Sequence, residues 1–225
     1  MRRDGLLTLG LLAVRESGFL LRLLRPLSRK PRVLPPKAWD QEYSEGKWSF
    51  LHQLAEEAHH LVIASYVNGL NRSDSVLDVG CGEGNLTPVL RRFGYGRYVG
   101  IDTSGVAIAA AQRHADASTR FQAVPGDEYA TQDRFDAIIF NETLNYFADP
   151  VRTIERFASL LTKDGVFVIS LSLVGFRNGI LKLCIWHDIE KKLKIIDETT
   201  IYRPDGTAWI VKVLVRPDSG LSTTK

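Results

Sequence analysis

Val76-Leu77-Asp78-Val79-Gly80-Cys81-Gly82-Glu83-Gly84-Asn85-Leu86 is the stretch on which the fold turns. A short apolar run, 76–79, ends in three glycines spaced one residue apart, and a helix-compatible segment, 86–93, follows. The pattern predicts a buried strand, a loop and a helix start. Glycines at such a turn supply positive φ and let a ligand lie close against the backbone at the strand end. Dinucleotide folds use a related loop, but with the spacing G-x-G-x-x-G. Here the spacing is G-x-G-x-G, and Asp78 and Glu83 flank the turn, where a pyrophosphate would be repelled. A cofactor without phosphate, carrying a cationic amino-acid end, suits those carboxylates.

Outward from this loop, strand and helix patterns alternate. Strands are expected at 98–101, 121–124, 136–140 and 165–171, with helices at 104–114, capped by Ser104, and at 149–161. Upstream, apolar residues at helical spacing predict an amphipathic helix over 50–68. Strict alternation gives an α/β fold of Rossmann-like type, with a mostly parallel sheet and helices on both faces. Two further strand-like runs, 195–202 and 207–215, are joined by Arg203-Pro204-Asp205-Gly206, so they form an antiparallel hairpin at one sheet edge.

The strand ends collect acids. Asp102 closes the second strand 22 residues after Gly80, where a carboxylate accepts hydrogen bonds from both ribose hydroxyls. Gly126-Asp127-Glu128 follows the third strand, where an acid can bind an adenine amino group, and Phe140-Asn141-Glu142 ends the fourth at the same rim. A phosphate-free, cationic nucleoside is what S-adenosylmethionine is.

Residues 39–215 resemble the class I S-adenosylmethionine-dependent methyltransferase family. Asp78 to Gly84 is similar to its first motif, Asp102 to its ribose acid, Gly126-Asp127 to its adenine motif and 135–141 to its fourth motif. The resemblance implies a seven-stranded sheet whose last strand is antiparallel. It also implies a cofactor site built from Asp78, Gly80, Cys81, Gly82, Gly84, Asp102, Thr103, Asp127 and Asn141. Residues 39–48 resemble the lead-in of bacterial small-molecule methyltransferases from polysaccharide and natural-product pathways, in which aromatic residues close over the cofactor; Tyr43 and Trp48 are their counterparts. Residues 141–146 are similar to a segment of nodulation-type aminosugar N-methyltransferases. The reaction so implied is methyl transfer to an oxygen or nitrogen of a small molecule, such as a saccharide or natural-product intermediate. Glu142 and His187 are the candidate bases and Tyr146 the candidate orienting group, His187 lying in the segment 174–192 where this fold varies its substrate contacts. Two other readings stay open: a dinucleotide-dependent oxidoreductase, and a non-catalytic scaffold that recruits a partner through its N-terminal arm.

A chain of 225 residues accommodates one domain and an appendage, here read as an arm and linker over 1–37 and a methyltransferase-like domain over 38–225. Cys81 and Cys184 are too few and too scattered for a disulfide framework or zinc ribbon, which points to the cytoplasm. The adjacent His59 and His60 point about 100° apart on a helix, so no metal site is expected. Residues 1–37 hold nine Lys/Arg against two acids, a surplus of seven that exceeds the +3 of the whole chain. The body is mildly acidic, unlike the basic folded face of a nucleic-acid binder. Between Leu6 and Leu24 the arm reads as a basic amphipathic helix broken at Pro26, either a peripheral membrane contact or an extra helix packed on the domain. Residues 1–14 imitate a signal peptide without a cleavage site and are read as uncleaved. Arg15 and Arg22 interrupt any membrane span, and 25–37, with four prolines, reads as an extended linker.

Overall fold

The computed structural model describes residues 3–15 and 17–221; Met1 and Arg2, at the head of the signal-like stretch, and Glu16 in the arm lie outside them. Four helices come first: α1 (Arg3–Arg15), α2 (Gly18–Leu24), α3 (Pro36–Ser44) and α4 (Glu57–Gly69). Then the alternation begins, with β1 (Ser75–Val79), α5 (Thr87–Phe93), β2 (Arg97–Asp102), α6 (Gly105–Ala111), β3 (Thr119–Ala123), β4 (Phe135–Asn141), α7 (Pro150–Ala158) and β5 (Leu161–Ser172). α8 (Phe176–Ile189), β6 (Lys194–Tyr202) and β7 (Ala208–Val215) complete it.

One seven-stranded sheet runs in the order β3-β2-β1-β4-β5-β7-β6. β7 is antiparallel to both of its neighbours, and the other pairings are parallel. The expected α/β class and edge hairpin are therefore present, with the second arm of the hairpin inserted against β5 and the first left at the edge. Strand β1 is central because it is apolar on both sides. Leu77 and Val79 enter one core layer with Ile101 and Ile138, while Val76 enters the other with Tyr98 and Ile63. The chain leaves β1 toward β2 and β3, then returns to β4 on the opposite side. A crevice opens at the carboxyl ends of β1 and β4, where such a reversal places a ligand site.

Several local expectations shift. The helix expected over 50–68 begins only at Glu57, and tighter 3₁₀ turns at Ser49–His52 and Leu54–Glu56 precede it. Leu161 belongs to β5 rather than to the preceding helix, because α7 ends at Ala158 and Leu161 already pairs with Phe135. Caps behave as read: the Ser104 hydroxyl accepts from Ala107 N at 3.1 Å, and Asp149 accepts from Arg152 N at 3.0 Å with Pro150 at the first helical position.

The arm departs most from its sequence reading. It is two helices rather than one, because Ser17 takes an extended conformation and caps α2, accepting from Leu20 N at 3.3 Å. Both helices pack on the body. Leu11 and Leu21 are each 2 % exposed and join the main core, and a Cβ at Gly179 of α8 would overlap Leu11 Cδ1. Polar ties reinforce this: Arg15 pairs with Glu198, Arg25 with Asp188 at 2.7 Å, and Thr8 donates to the Gly206 carbonyl at 2.6 Å. The linker is likewise strapped down, with Arg29 N donating to Arg177 O and Arg32 N to Asn145 O, both at 3.2 Å. Among the described residues no helix is long and apolar enough to cross a membrane. Leu11→Ala should therefore cost about 2–5 kcal/mol of stability, as for other truncations of buried leucine. Urea unfolding of the full chain checks this, and an unchanged midpoint would mean the arm contributes nothing to the fold.

Candidate active site

At the carboxyl ends of β1, β2 and β4 lies a cavity of about 920 Å³. Its first half is the glycine loop. Gly80, Gly82 and Gly84 all have positive φ, at 76°, 55° and 75°. A Cβ at Gly82 would stand 2.8 Å from the Tyr43 hydroxyl, so this glycine is required by close approach as well as by backbone conformation. The loop turns its donors inward. Gly80 N and Cys81 N both give to the Ile101 carbonyl, at 2.8 and 3.0 Å, and Gly84 N gives to Cys81 O at 3.0 Å. Gly82 N gives to Asp102 Oδ2 at 2.9 Å. A phosphate-binding loop presents free N–H groups to its ligand; these four are engaged within the protein.

Carboxylates dominate this half. Asp78, Glu83, Asp102, Asp127 and Glu128 all line it. Asp102 also accepts from Ser104 N at 2.8 Å, so each oxygen carries one backbone donor and keeps a further lone pair. Burial raises its pKa, and those backbone donors partly counter the rise. Asp78 is buried with one oxygen served: Tyr98 donates to Oδ2 at 2.7 Å, and Oδ1 has no hydrogen-bond partner. Burial pushes its pKa up to about 7, against the opposing Tyr98 hydrogen bond. An open oxygen on a buried carboxylate beside a loop with four of its N–H donors already engaged fits a cationic, phosphate-free ligand.

Aromatic side chains roof the cavity. Trp39 and Trp48 have ring centroids 5.8 Å apart, Tyr43 lies 6.0 Å from Trp48, and Tyr146 meets Trp39 edge-on at 5.0 Å. Burial, then the charge of Asp102, hold the Tyr43 phenol neutral. The roof is tied to the linker by the Arg32–Glu42 pair, and Arg32 lies over the Trp39 ring at 5.7 Å.

The second half of the cavity is polar. Glu142 sits at φ +60°, a left-handed conformation uncommon outside glycine. Its side chain accepts from Lys182 Nζ at 2.9 Å and from Ser170 Oγ at 3.1 Å. Burial would raise its pKa, but Lys182 first, then His59 and the hydroxyl of Ser172, bring it down to about 2. His59 stacks on Trp209 with centroids 5.0 Å apart, and its Nδ1 has no hydrogen-bond partner; neither has Asn141 Oδ1. Burial, only partly offset by Glu142 and Asn141, lowers His59 to about 4, so the imidazole is neutral at physiological pH.

The structure brings Tyr43, Trp48, Asp78, Gly80, Cys81, Gly82, Asp102, Thr103, Asp127, Asn141, Glu142 and Tyr146 to this one cavity. Gly84 stands behind the loop, against Phe121 and His114. His187 is not brought to the cavity: it faces Gly18 of α2, whose added Cβ would meet His187 Cε1 at 3.3 Å. The reason is helical phase. Lys182 points inward, and five residues on, the direction has turned by about 140°. Glu142, with its pKa near 2, is an ion-paired carboxylate and a weak proton acceptor. Sequence reasoning missed Lys182, His59, Ser172 and Trp209. In the sequence the adjacent His59 and His60 raise only the question of a metal site, and a buried neutral imidazole next to a cavity leaves no spacing signal.

A family model described as a methyltransferase domain matches residues 49–203. The ubiquinone biosynthesis O-methyltransferase of Pseudoalteromonas translucida (strain TAC 125) is 30% identical over 176 residues, covering 76% of this chain and 71% of that protein. The protein of the same name from Bradyrhizobium diazoefficiens is 35% identical over 98 residues, 42% of this chain and 38% of the relative, so the match spans little more than a third of that protein. Among solved structures, the N-methyltransferase NodS from Bradyrhizobium japonicum WM9 in complex with S-adenosyl-L-homocysteine superposes with a TM-score of 0.66 at 17% identity. That alignment covers 76% of this chain and 91% of the other, and it speaks for the fold. With a family model spanning more than half of it, and with the loop and strand-end acids gathered on one rim, the chain belongs to the class I S-adenosylmethionine-dependent methyltransferase family.

Proposed function

We propose that this chain is an enzyme that moves a methyl group from S-adenosylmethionine to an oxygen or nitrogen of a small, polar acceptor, saccharide-like or a natural-product intermediate. One observation carries the reading: the buried Asp78 carboxylate keeps an open oxygen next to a glycine loop in which the N–H groups of Gly80, Cys81, Gly82 and Gly84 are already engaged. That pairing suits an ammonium group and disfavours a pyrophosphate, which also weighs against the dinucleotide alternative.

When bound, the cofactor supplies an activated methyl group. The work left to the chain is to position, to exclude water and to manage a proton. Asp78 would take the ammonium group, Asp102 the ribose hydroxyls and Asp127 the adenine amino group, while Tyr43, Trp48 and Trp39 cover the site. The acceptor would occupy the polar half, where Glu142, Lys182, Ser172 and the open atoms of His59 and Asn141 offer donors and acceptors in a confined space. With Glu142 ion-paired and His59 neutral, the groups here orient a nucleophile and take its proton late. Holding acceptor and methyl group in near-attack geometry would supply much of the rate.

The Asp78 titration gives a signed test. An ammonium group needs the ionised carboxylate, and with a pKa of about 7 the free protein carries a proton there at lower pH. Affinity for S-adenosylhomocysteine should fall as pH drops below 7, by up to about tenfold per unit, with proton release on binding. Calorimetry in buffers of different ionisation enthalpy measures both, and Asp78→Asn should remove the pH dependence. A flat profile in the wild type would withdraw the assignment of Asp78.

Replacing Glu142 separates binding from turnover. Glu142→Gln keeps the shape and removes the charge that pairs with Lys182. It should lower the rate of methyl transfer by at least about tenfold while leaving S-adenosylhomocysteine affinity nearly unchanged, the pattern of a group acting on the acceptor. Steady-state assays with tritiated methyl donor and cell extract read the rate. A wild-type rate in the variant would remove Glu142 from the reaction, and no transfer by the wild type would argue against the enzyme reading itself.

A further inference from the structure

The N-terminal arm has two apolar faces, and the core uses only one. On α2, Leu21 points into the body, while Phe19 is 71% exposed, Leu23 61% and Leu20 43%. Taking 100° per residue, Phe19, Leu23 and Leu20 fall within a sector of about 100°, with Leu21 a further 100° round. Leu27, 49% exposed in the 3₁₀ turn that follows, extends the stripe. Four large apolar side chains in one run on a surface helix form a patch, unlike single exposed leucines scattered over a body.

The charges around this stripe select what covers it. From Ser17 to Trp39 the sequence has six cations and no acid. Arg25 and Arg32 are engaged with Asp188 and Glu42. Arg22, Arg29 and Lys30 are exposed and make no ion pair among the described residues. A second copy meeting this face about a two-fold axis would bring cations against cations. A surface that offers apolar depth and negative charge together meets both features at once, and that surface is an anionic lipid bilayer.

We propose that the outer face of α2 docks on an anionic membrane surface, with Phe19, Leu20, Leu23 and Leu27 entering the headgroup boundary and Arg22, Arg29 and Lys30 meeting lipid phosphates. The inner face stays on α8, so docking needs no unfolding of the arm. The chain continues directly from this stripe into residues 32–34, which form part of the cavity wall. Membrane contact would thus bring one side of the active site close to the bilayer.

The test uses the full chain and sedimentation with vesicles of phosphatidylcholine alone or mixed with phosphatidylglycerol. Binding should be confined to the mixed vesicles and weaken at high salt. The double variant Phe19→Ser/Leu23→Ser alters only exposed side chains and should bind the mixed vesicles at least about tenfold more weakly. Its thermal unfolding should match the wild type, which shows that the loss is not misfolding. Absence of binding to mixed vesicles overturns the proposal, and so does equal binding by the double variant. A stripe-dependent dimer in solution, seen by light scattering without vesicle binding, overturns it in favour of self-association. None of these readouts depends on methyl transfer, so the membrane inference and the enzyme reading can fail separately.

Discussion

Asp102 holds the site together. Its carboxylate accepts from Gly82 N in the loop after β1 and from Ser104 N in the loop after β2, so two loops from different strands are locked by one side chain. This clamp fixes the glycine turn in its positive-φ form and removes a donor from the ligand side. It also leaves unused lone pairs facing the cavity. A buried carboxylate carries a desolvation cost, and backbone donors offset part of it. The remainder is available to a ligand that brings hydroxyl donors. Structure and recognition thus draw on the same atoms, and the loop cannot be converted to phosphate binding by glycine spacing alone.

Legibility in the sequence followed distance along the chain. The glycine loop, Asp102 and Asp127 lie at ends of consecutive parallel strands, and parallel strands bring their carboxyl ends to one rim whatever the helices between them do. Reading the strands was enough to collect these residues. The polar half of the cavity is different, because it is assembled from α4, the end of β4, α8 and the hairpin, and each helix contributes according to its phase. Lys182 and His187 are five residues apart on α8, yet only Lys182 reaches the cavity. Without the packing partner of α8, the sequence offers no way to choose between them.

The arm illustrates the same limit. Its composition was readable as basic and amphipathic, but amphipathicity assumed one straight helix and one apolar face. Ser17 and Gly18 break that helix into two, and the break rephases Arg15 relative to Arg22. Arg15 then turns inward to Glu198, which also holds the buried Lys212 at 2.8 Å, while Arg22 stays outside. A cationic residue of the basic arm is thus part of a partly buried ion-pair cluster. Such clusters are set by tertiary packing, since neither Glu198 nor Lys212 is close to Arg15 in sequence.

These separate features meet in α8. It receives Leu11 at Gly179 and Arg25 at Asp188, on faces about 180° apart, and presents Lys182 to Glu142. Among the described residues Glu142 is the one cavity residue outside the glycines in a left-handed backbone conformation, and for a residue with a Cβ that conformation costs on the order of 1–2 kcal/mol. The ion pair with Lys182 and the hydrogen bond from Ser170 offset this cost and hold the carboxylate in the polar half of the cavity. The pair requires α8 to keep its rotation, because a shift of one residue swings Lys182 by about 100°. The arm, which meets α8 at Gly179 and at Asp188, opposes that rotation. The N-terminal segment is therefore mechanically tied to the polar half of the cavity, although among the described residues none before Arg32 lines it.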